Sequence, residues 1–250
     1  MSARVALVTG VGGGIGSATA ASFTNAGWYV VGTDVRDVPG SSDFAFFACC
    51  DVSKEGDVAD LVSEVERRFG RLDTVVNNAA IEIAKPIIET TLQEWDTLMA
   101  VNVRAAYITT RKAYPLLAAS RGSIVNVSSV HAIATSSNIA CYAASKGALL
   151  ALSRALAIEL ASAGIRVNAI LPGAVDTGML RAGLSRGHVT GETVEQRLGE
   201  LAQKTVMGRV AAPEEIARVI VFLADSTQSS FMTGQALVVD GGATARLSTE

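Results

Sequence analysis

Short apolar runs alternate with segments of helical periodicity along the whole chain. Arg4–Thr9 reads as a strand, after which a glycine-rich turn opens a helix from about Gly14 to Ala26. Trp28–Thr33 is a second strand ending at Asp34, and Phe44–Cys49 a third. Glu55–Phe69 spaces its apolar positions as an amphipathic helix does. Leu72–Val76 is a fourth strand, followed by a long helical region from Leu92 towards Leu117. Ser123–Val127 is the fifth and leads into a helix from about Cys141 to Ala161. Arg166–Ile170 and, near the C-terminus, Ala236–Val239 complete the set.

Strands separated by helices become parallel neighbours, because the chain must cross over to return in the same direction. Strands as continuously apolar as Arg4–Thr9 are covered on both sides. The expected fold is therefore α/β, a doubly wound parallel sheet of seven strands with helices on both faces. No linker or shift of composition divides residues 1–250, so a single domain is expected.

Composition narrows the function classes. The chain has 250 residues, 49% hydrophobic and 18% charged, enough for a large core and too apolar for disorder. A formal net charge of -3 gives no basic face for nucleic acid. No apolar stretch approaches the roughly 20 residues that span a bilayer, and no signal-peptide pattern is evident. A soluble protein without a membrane partner is expected. Cys49 and Cys50 are adjacent, where a disulfide would be strained, and Cys141 leaves an odd total. All three are expected to be buried small hydrophobes in a reducing compartment, which makes the cytoplasm the expected location. Neither of the two histidines sits at ligand spacing from a cysteine, so no metal site is expected.

In doubly wound sheets ligands bind beyond the carboxyl ends of the strands. The glycines and unusual polar residues of this chain fall there: Gly10–Gly16, Asp34, Asp51, Asn77–Asn78, Ser128–Ser129 and Pro172–Thr177. The run Thr9-Gly10-Val11-Gly12-Gly13-Gly14-Ile15-Gly16 lets the backbone turn sharply and approach a pyrophosphate. The helix that follows offers free N–H groups and the positive end of its dipole to that anion. This is the Rossmann-type dinucleotide arrangement. Asp34 lies about 20 residues beyond the glycines, where a carboxylate bonds the adenosine ribose hydroxyls and repels the extra phosphate of NADP. The loop has no arginine or lysine for that phosphate, and Arg36 is expected to be a solvated cation. NAD is the expected cofactor.

Tyr142 and Lys146 are four residues apart in a helical segment and share a face. A free tyrosine, with a pKa near about 10, is a poor base at neutral pH. A neighbouring ammonium favours the phenolate and lowers that value. Ser129, ending the fifth strand, can hydrogen-bond a substrate oxygen. An isolated Tyr/Lys pair is usually only solvated, so its weight here comes from its company.

That company resembles the short-chain dehydrogenase/reductase family, in its subfamily of roughly 250 residues, over nearly the whole chain. Gly10, Gly14, Ile15 and Gly16 fall in the segment that matches the family's cofactor motif, Thr9-Gly10-x-x-x-Gly14-x-Gly16. Cys50-Asp51-Val52 looks like its adenine-contacting Asp-Val. Asn77-Asn78-Ala79-Ala80 resembles Asn-Asn-Ala-Gly, with alanine in the last place. Asn102, within Val101-Asn102-Val103, matches the asparagine of the catalytic tetrad. Ser129 lies thirteen residues before Tyr142, the family spacing, whereas Ser128 is one too far. Tyr142-Ala-Ala-Ser-Lys146 is the Tyr-x-x-x-Lys signature. Pro172-Gly173-Ala-Val175-Asp-Thr177 resembles the segment that holds the nicotinamide carboxamide.

The resemblance implies an NAD-dependent oxidoreductase moving a hydride between nicotinamide and an alcohol or carbonyl carbon. Tyr142 would be the acid/base, and Lys146 would lower its pKa and bind the nicotinamide ribose. Ser129 would orient the substrate oxygen, and Asn102 would hold a water linking Lys146 to solvent. The expected assembly is a homotetramer, or else a dimer, formed through the apolar helix Gly147–Glu159 and the long helix before it.

The substrate pocket is expected beneath a lid from about Gly178 to Met207, mixing Leu180, Leu184, His188, Leu198 and Met207 with charged residues. His131 follows Ser129 by two residues, an arrangement similar to that of members acting on small hydroxy acids. The lysine that such members carry before the tyrosine has no match, Ile139 standing near its place. Glu82 would repel a carboxylate substrate, which favours a sugar or polyol. Two rival readings are a 3-oxoacyl-carrier reductase, which usually uses NADPH, and a nucleotide-sensing protein without turnover.

Overall fold

The computed structural model describes residues 3–38, 43–184 and 189–245. Seven strands form one sheet: β1 (Val5–Thr9), β2 (Tyr29–Asp34), β3 (Phe46–Cys49), β4 (Thr74–Asn77), β5 (Ser123–Val127), β6 (Arg166–Pro172) and β7 (Ala236–Val239). Their order is β3-β2-β1-β4-β5-β6-β7, with every pairing parallel. The expected doubly wound α/β architecture is the one observed.

Helices α1 (Gly14–Asn25), α2 (Glu55–Phe69), α3 (Leu92–Met99), α4 (Ala105–Ser120) and α5 (Ala140–Glu159) connect the first six strands. Between β6 and β7 lie α6 (Gly178–Gly183), α7 (Val194–Gln203), α8 (Pro213–Ala224) and the single turn α9 (Ser226–Ser229).

Side chains alternate across a strand, so β1 feeds two cores. Val5 and Leu7 pack with Val58, Leu61 and Val65 of α2, Ile108 and Leu117 of α4 and Leu156 of α5. Ala6 and Val8 face the other way, onto Phe23 of α1 and Ile216, Ile220 and Leu223 of α8. Each fully buried leucine-sized side chain contributes about 2 kcal/mol. The two cores together pin β1 and β4 at the centre of the sheet.

Local signals set the helix ends. Glu55 and Asp57 in the first turn of α2 and Arg67 and Arg68 in its last complement the helix dipole, and Gly70 closes it at φ 63°. Thr91 and Glu94 form a reciprocal capping box at the start of α3.

The structure departs from the sequence pattern at several points. The helix expected from Leu92 to Leu117 is two helices joined by a π-helical turn, Ala100–Arg104. Asn102 in that turn bonds the backbone of Ile81, which holds the extra residue in place. Phe44 is not part of β3; its ring occupies the space beside Gly32, where an added Cβ would lie 2.7 Å away. Cys50 and Cys141 are buried as expected, but Cys49 is exposed, because β3 is the outermost strand and Cys49 ends it. Of the expected lid, α6 and α7 are described, while His188 lies outside the described residues. Among the described residues no helix is long and apolar enough to cross a membrane.

Candidate active site

The sheet order reverses between β1 and β4, and a cleft of about 760 Å³ opens at their carboxyl ends. Its first part is built on the glycine loop. Gly10 adopts φ 73°, and an added Cβ would stand 2.8 Å from Ala79 Cα. A Cβ on Gly16 would lie 2.1 Å from the Gly10 carbonyl oxygen, so α1 can start this close to β1 only with glycine. Gly14 packs in the same way against Thr177, whose methyl would be 2.9 Å from a Cβ.

The far wall is a set of hydrogen bonds between strand ends. The Asn78 side-chain amide donates to the carbonyls of Thr9 and Gly10 at 2.8 and 3.1 Å. The backbone N–H groups of Asn78 and Ala79 both donate to Thr9 Oγ1 at 3.0 Å. Asp34 is buried, accepts the Gly12 N–H at 3.0 Å, and lies 3.5 Å from the guanidinium of Arg36. Asp51 accepts from the backbone and hydroxyl of Ser53, and these bonds hold its carboxyl below the usual range. Val52 lines the cleft beside it.

The second part of the cleft is chemical. Tyr142 and Lys146 stand on successive turns of α5, both buried, with Lys146 Nζ 5.5 Å from the centre of the Tyr142 ring. Lys146 Nζ donates to the Val127 carbonyl at 2.8 Å, and burial pulls its pKa down from 10.5 to about 8. Ser129 Oγ accepts the His131 N–H at 3.2 Å. The His131 ring meets that of Tyr142 edge-on at 6.0 Å and lies 3.2 Å from Thr135 Oγ1. Glu82 also lines the cleft. Pro172, Gly173, Val175 and Thr177 line it as well, the last capping α6 by accepting from Leu180 N–H.

One residue of the expected set lies behind the cleft. Asn102 is 2% exposed, and its side chain points to Ile81 and to Ser145 rather than to Lys146. Ser145 is a participant that sequence reasoning missed, and Ser128 and Arg36 take part in ways it did not assign. Ser128 Oγ donates to the Lys146 carbonyl at 2.9 Å, Ser145 bonds the Tyr142 carbonyl, and Arg36 lines the cleft beside Asp34. A serine three residues after Tyr142 can bond back to that carbonyl, and this was the one signal available for Ser145.

Helix α1 starts at the cleft with no side-chain cap and no acidic residue in its first turn. An uncapped positive helix end beside a glycine loop, with a carboxylate at the end of the next strand, fits a dinucleotide's pyrophosphate and ribose. Among the described residues no cluster of three or more His, Cys, Asp or Glu could hold a metal ion.

Fold and cleft fit a nicotinamide dinucleotide, and the relatives of the chain make it an oxidoreductase acting on a hydroxyl or carbonyl group. A family model described as enoyl-(acyl carrier protein) reductase matches residues 10–244. L-fucose dehydrogenase of Bos taurus is 38% identical, over 96% of this chain and 89% of that protein. The ligand-free aldohexose dehydrogenase of Thermoplasma acidophilum superposes with a TM-score of 0.92 at 32% identity, over 98% of this chain and 96% of that one. A 3-ketoacyl-(acyl-carrier-protein) reductase from Brucella melitensis, complexed with NADH, gives 0.85 at 33% identity, over 96% and 98%. The chain belongs to the short-chain dehydrogenase/reductase family.

Proposed function

We propose that the protein is an NAD-dependent dehydrogenase that oxidises a secondary alcohol of a sugar or polyol. The observation that carries this reading is that Tyr142, Lys146, Ser129 and Glu82 line one and the same cleft as the glycine loop. Tyr142 takes the alcohol proton. Lys146 is an ammonium below its pKa of about 8, and its charge favours the phenolate. Ser129 already accepts a hydrogen bond from the His131 N–H, which leaves its own proton to donate to the substrate oxygen. The bound nicotinamide supplies the hydride-accepting carbon. Glu82 can accept hydrogen bonds from neighbouring hydroxyls and repels a carboxylate or phosphate. The sugar dehydrogenases among the relatives support the same substrate class.

NAD preference rests on Asp34. Its buried carboxylate disfavours a 2′-phosphate, although Arg36 stands close enough to attract one once Asp34 is removed. Gly10, Gly14, Ile15, Gly16, Asp51, Val52, Asn78, Ala79, Pro172, Gly173, Val175 and Thr177 complete the proposed cofactor site, all of them lining the cleft. The chain is read as one functional domain, cytoplasmic and homotetrameric. Supporting assembly, α4 exposes Tyr107 and Tyr114, and α5 exposes Ala144, Ala151 and Ile158.

The test is reduced-nicotinamide absorbance with NAD and with NADP across sugars, polyols, hydroxy acids, steroids and simple secondary alcohols. Turnover of a sugar or polyol with NAD supports the proposal. The kinship with 3-ketoacyl-(acyl-carrier-protein) reductase gives the alternative, which predicts instead NADPH-dependent reduction of a 3-oxoacyl thioester. Tight NADH binding with no turnover of any compound points to a nucleotide-sensing protein.

A further inference from the structure

Ser145 is fully buried, one residue before Lys146 and three after Tyr142, and does not line the cleft. Its hydroxyl donates to the Tyr142 carbonyl at 2.7 Å and accepts from Asn102 Nδ2 at 3.0 Å. Asn102 also brackets Ile81, accepting its N–H and donating to its carbonyl, each at 2.9 Å. Ile81 in turn packs against the cluster of Leu98, Ile139, Cys141 and Tyr142. These bonds join the segment after β4, the π turn and α5. On the next residue of α5, Ser128 Oγ holds the Lys146 carbonyl.

A hydroxyl is suited to this junction because it donates one hydrogen bond and accepts others at the same atom. Asn102 Nδ2 reaches α5 at the Ser145 hydroxyl, and that hydroxyl bonds the carbonyl of the turn that carries Tyr142 and Lys146. We propose that Ser145 is a positioning residue for the alcohol oxidation: through it Asn102 fixes the turn of α5 that carries Tyr142 and Lys146. The inference rests on the reading of Tyr142 as acid/base.

The experiment compares wild type with Ser145→Ala, Ser145→Thr, Asn102→Ala, the Asn102→Ala/Ser145→Ala double variant and Tyr142→Phe. L-fucose is the first probe, replaced by the best alcohol of the panel where it is not turned over. Ser145→Ala is expected to lower kcat about tenfold or more while KM and NADH affinity stay within about twofold. Lys146, His131 and Glu82 share the cleft with Tyr142 and are unchanged in these variants. The acid limb of the kcat profile should therefore move upward by about half a pH unit or more in Ser145→Ala. A tyrosinate absorbance titration, taken as a difference from Tyr142→Phe, should move the same way. Ser145→Thr keeps the hydroxyl and should restore both.

The double variant should lose no more than about the larger single loss, the behaviour of residues acting in one chain. Additive losses, or a Ser145→Ala enzyme with wild-type kcat and pH profile, overturn the inference. Should Ser145→Ala not fold, Ser145→Cys keeps a polar atom at the γ position, weakens both bonds and carries the same expectations. Full turnover by Tyr142→Phe would instead overturn the reading of the site itself.

Discussion

The carboxylate of Asp34 accepts the backbone N–H of Gly12 at 3.0 Å, tying the end of β2 to the glycine loop that follows β1. One group thus shapes the loop and sets the charge beside it. Asp34→Ala is predicted to lower the ratio of kcat/KM for NAD over NADP by about tenfold or more, equivalent to about 1.4 kcal/mol. Arg36, 3.5 Å from the carboxylate in the wild type, would then be free to meet the added phosphate. Steady-state kinetics with both cofactors check this, and an unchanged ratio would refute the role of Asp34.

Replacing Tyr142 by phenylalanine removes the phenolic hydroxyl, the proposed proton carrier, and little else. Turnover should be lost while NADH fluorescence titration gives nearly wild-type affinity. More than about a tenth of the wild-type rate would sink the assignment of Tyr142.

Lys146 carries a cost that depends on pH. Its folded-state pKa of about 8 lies below the ordinary 10.5, so burial of the ammonium opposes folding by about 3 kcal/mol at pH values below both. That cost is full below about pH 8 and fades as pH rises towards 10.5. Lys146→Met should therefore be inactive yet more stable than wild type near neutral pH. The gain is about 2 kcal/mol once the lost hydrogen bond to Val127 is subtracted. Urea unfolding at several pH values should show the gap closing in alkali; a gap that widens there is incompatible with the argument.

Gly16→Ala brings a Cβ to 2.1 Å from the Gly10 carbonyl, so the loop or the start of α1 must move. A loss of about 1–3 kcal/mol in stability and about tenfold or more in NADH affinity is expected. Gly56→Ala in α2 meets nothing within 4 Å and should stabilise by about 0.5–1 kcal/mol. Thermal melts and NADH titration of the pair separate crowding from general sensitivity. Equal behaviour of the two variants would refute the crowding argument.

The sheet was legible in the sequence because its strands are nearly continuous apolar runs and its glycines and polar residues follow them. Strand ends were less so: β3 begins at Phe46 and β4 at Thr74, two residues later than the apolar runs, and β6 runs on to Pro172. Apolar periodicity cannot see where the last ladder bond falls. The exposure of Cys49 depends on β3 being outermost, a fact of strand order rather than of local pattern. The π turn was invisible because its cause is a contact between Asn102 and Ile81, 21 residues apart. The role of Ser128 was hidden because its partner, the Lys146 carbonyl, lies 18 residues away, whereas Ser145 had only its local spacing from Tyr142 as a signal.

The π turn has one more effect. An extra residue inserted into a helix rotates everything beyond it by about 100°. Leu98 before the turn can therefore face Ile139 and Tyr142, while Ala105 and Ile108 after it face the sheet core. The two halves run out of phase, like two gears on a shaft with one tooth offset. Thr97 of α3 can thus be exchanged to reshape the cleft wall while α4 keeps its mesh with the sheet.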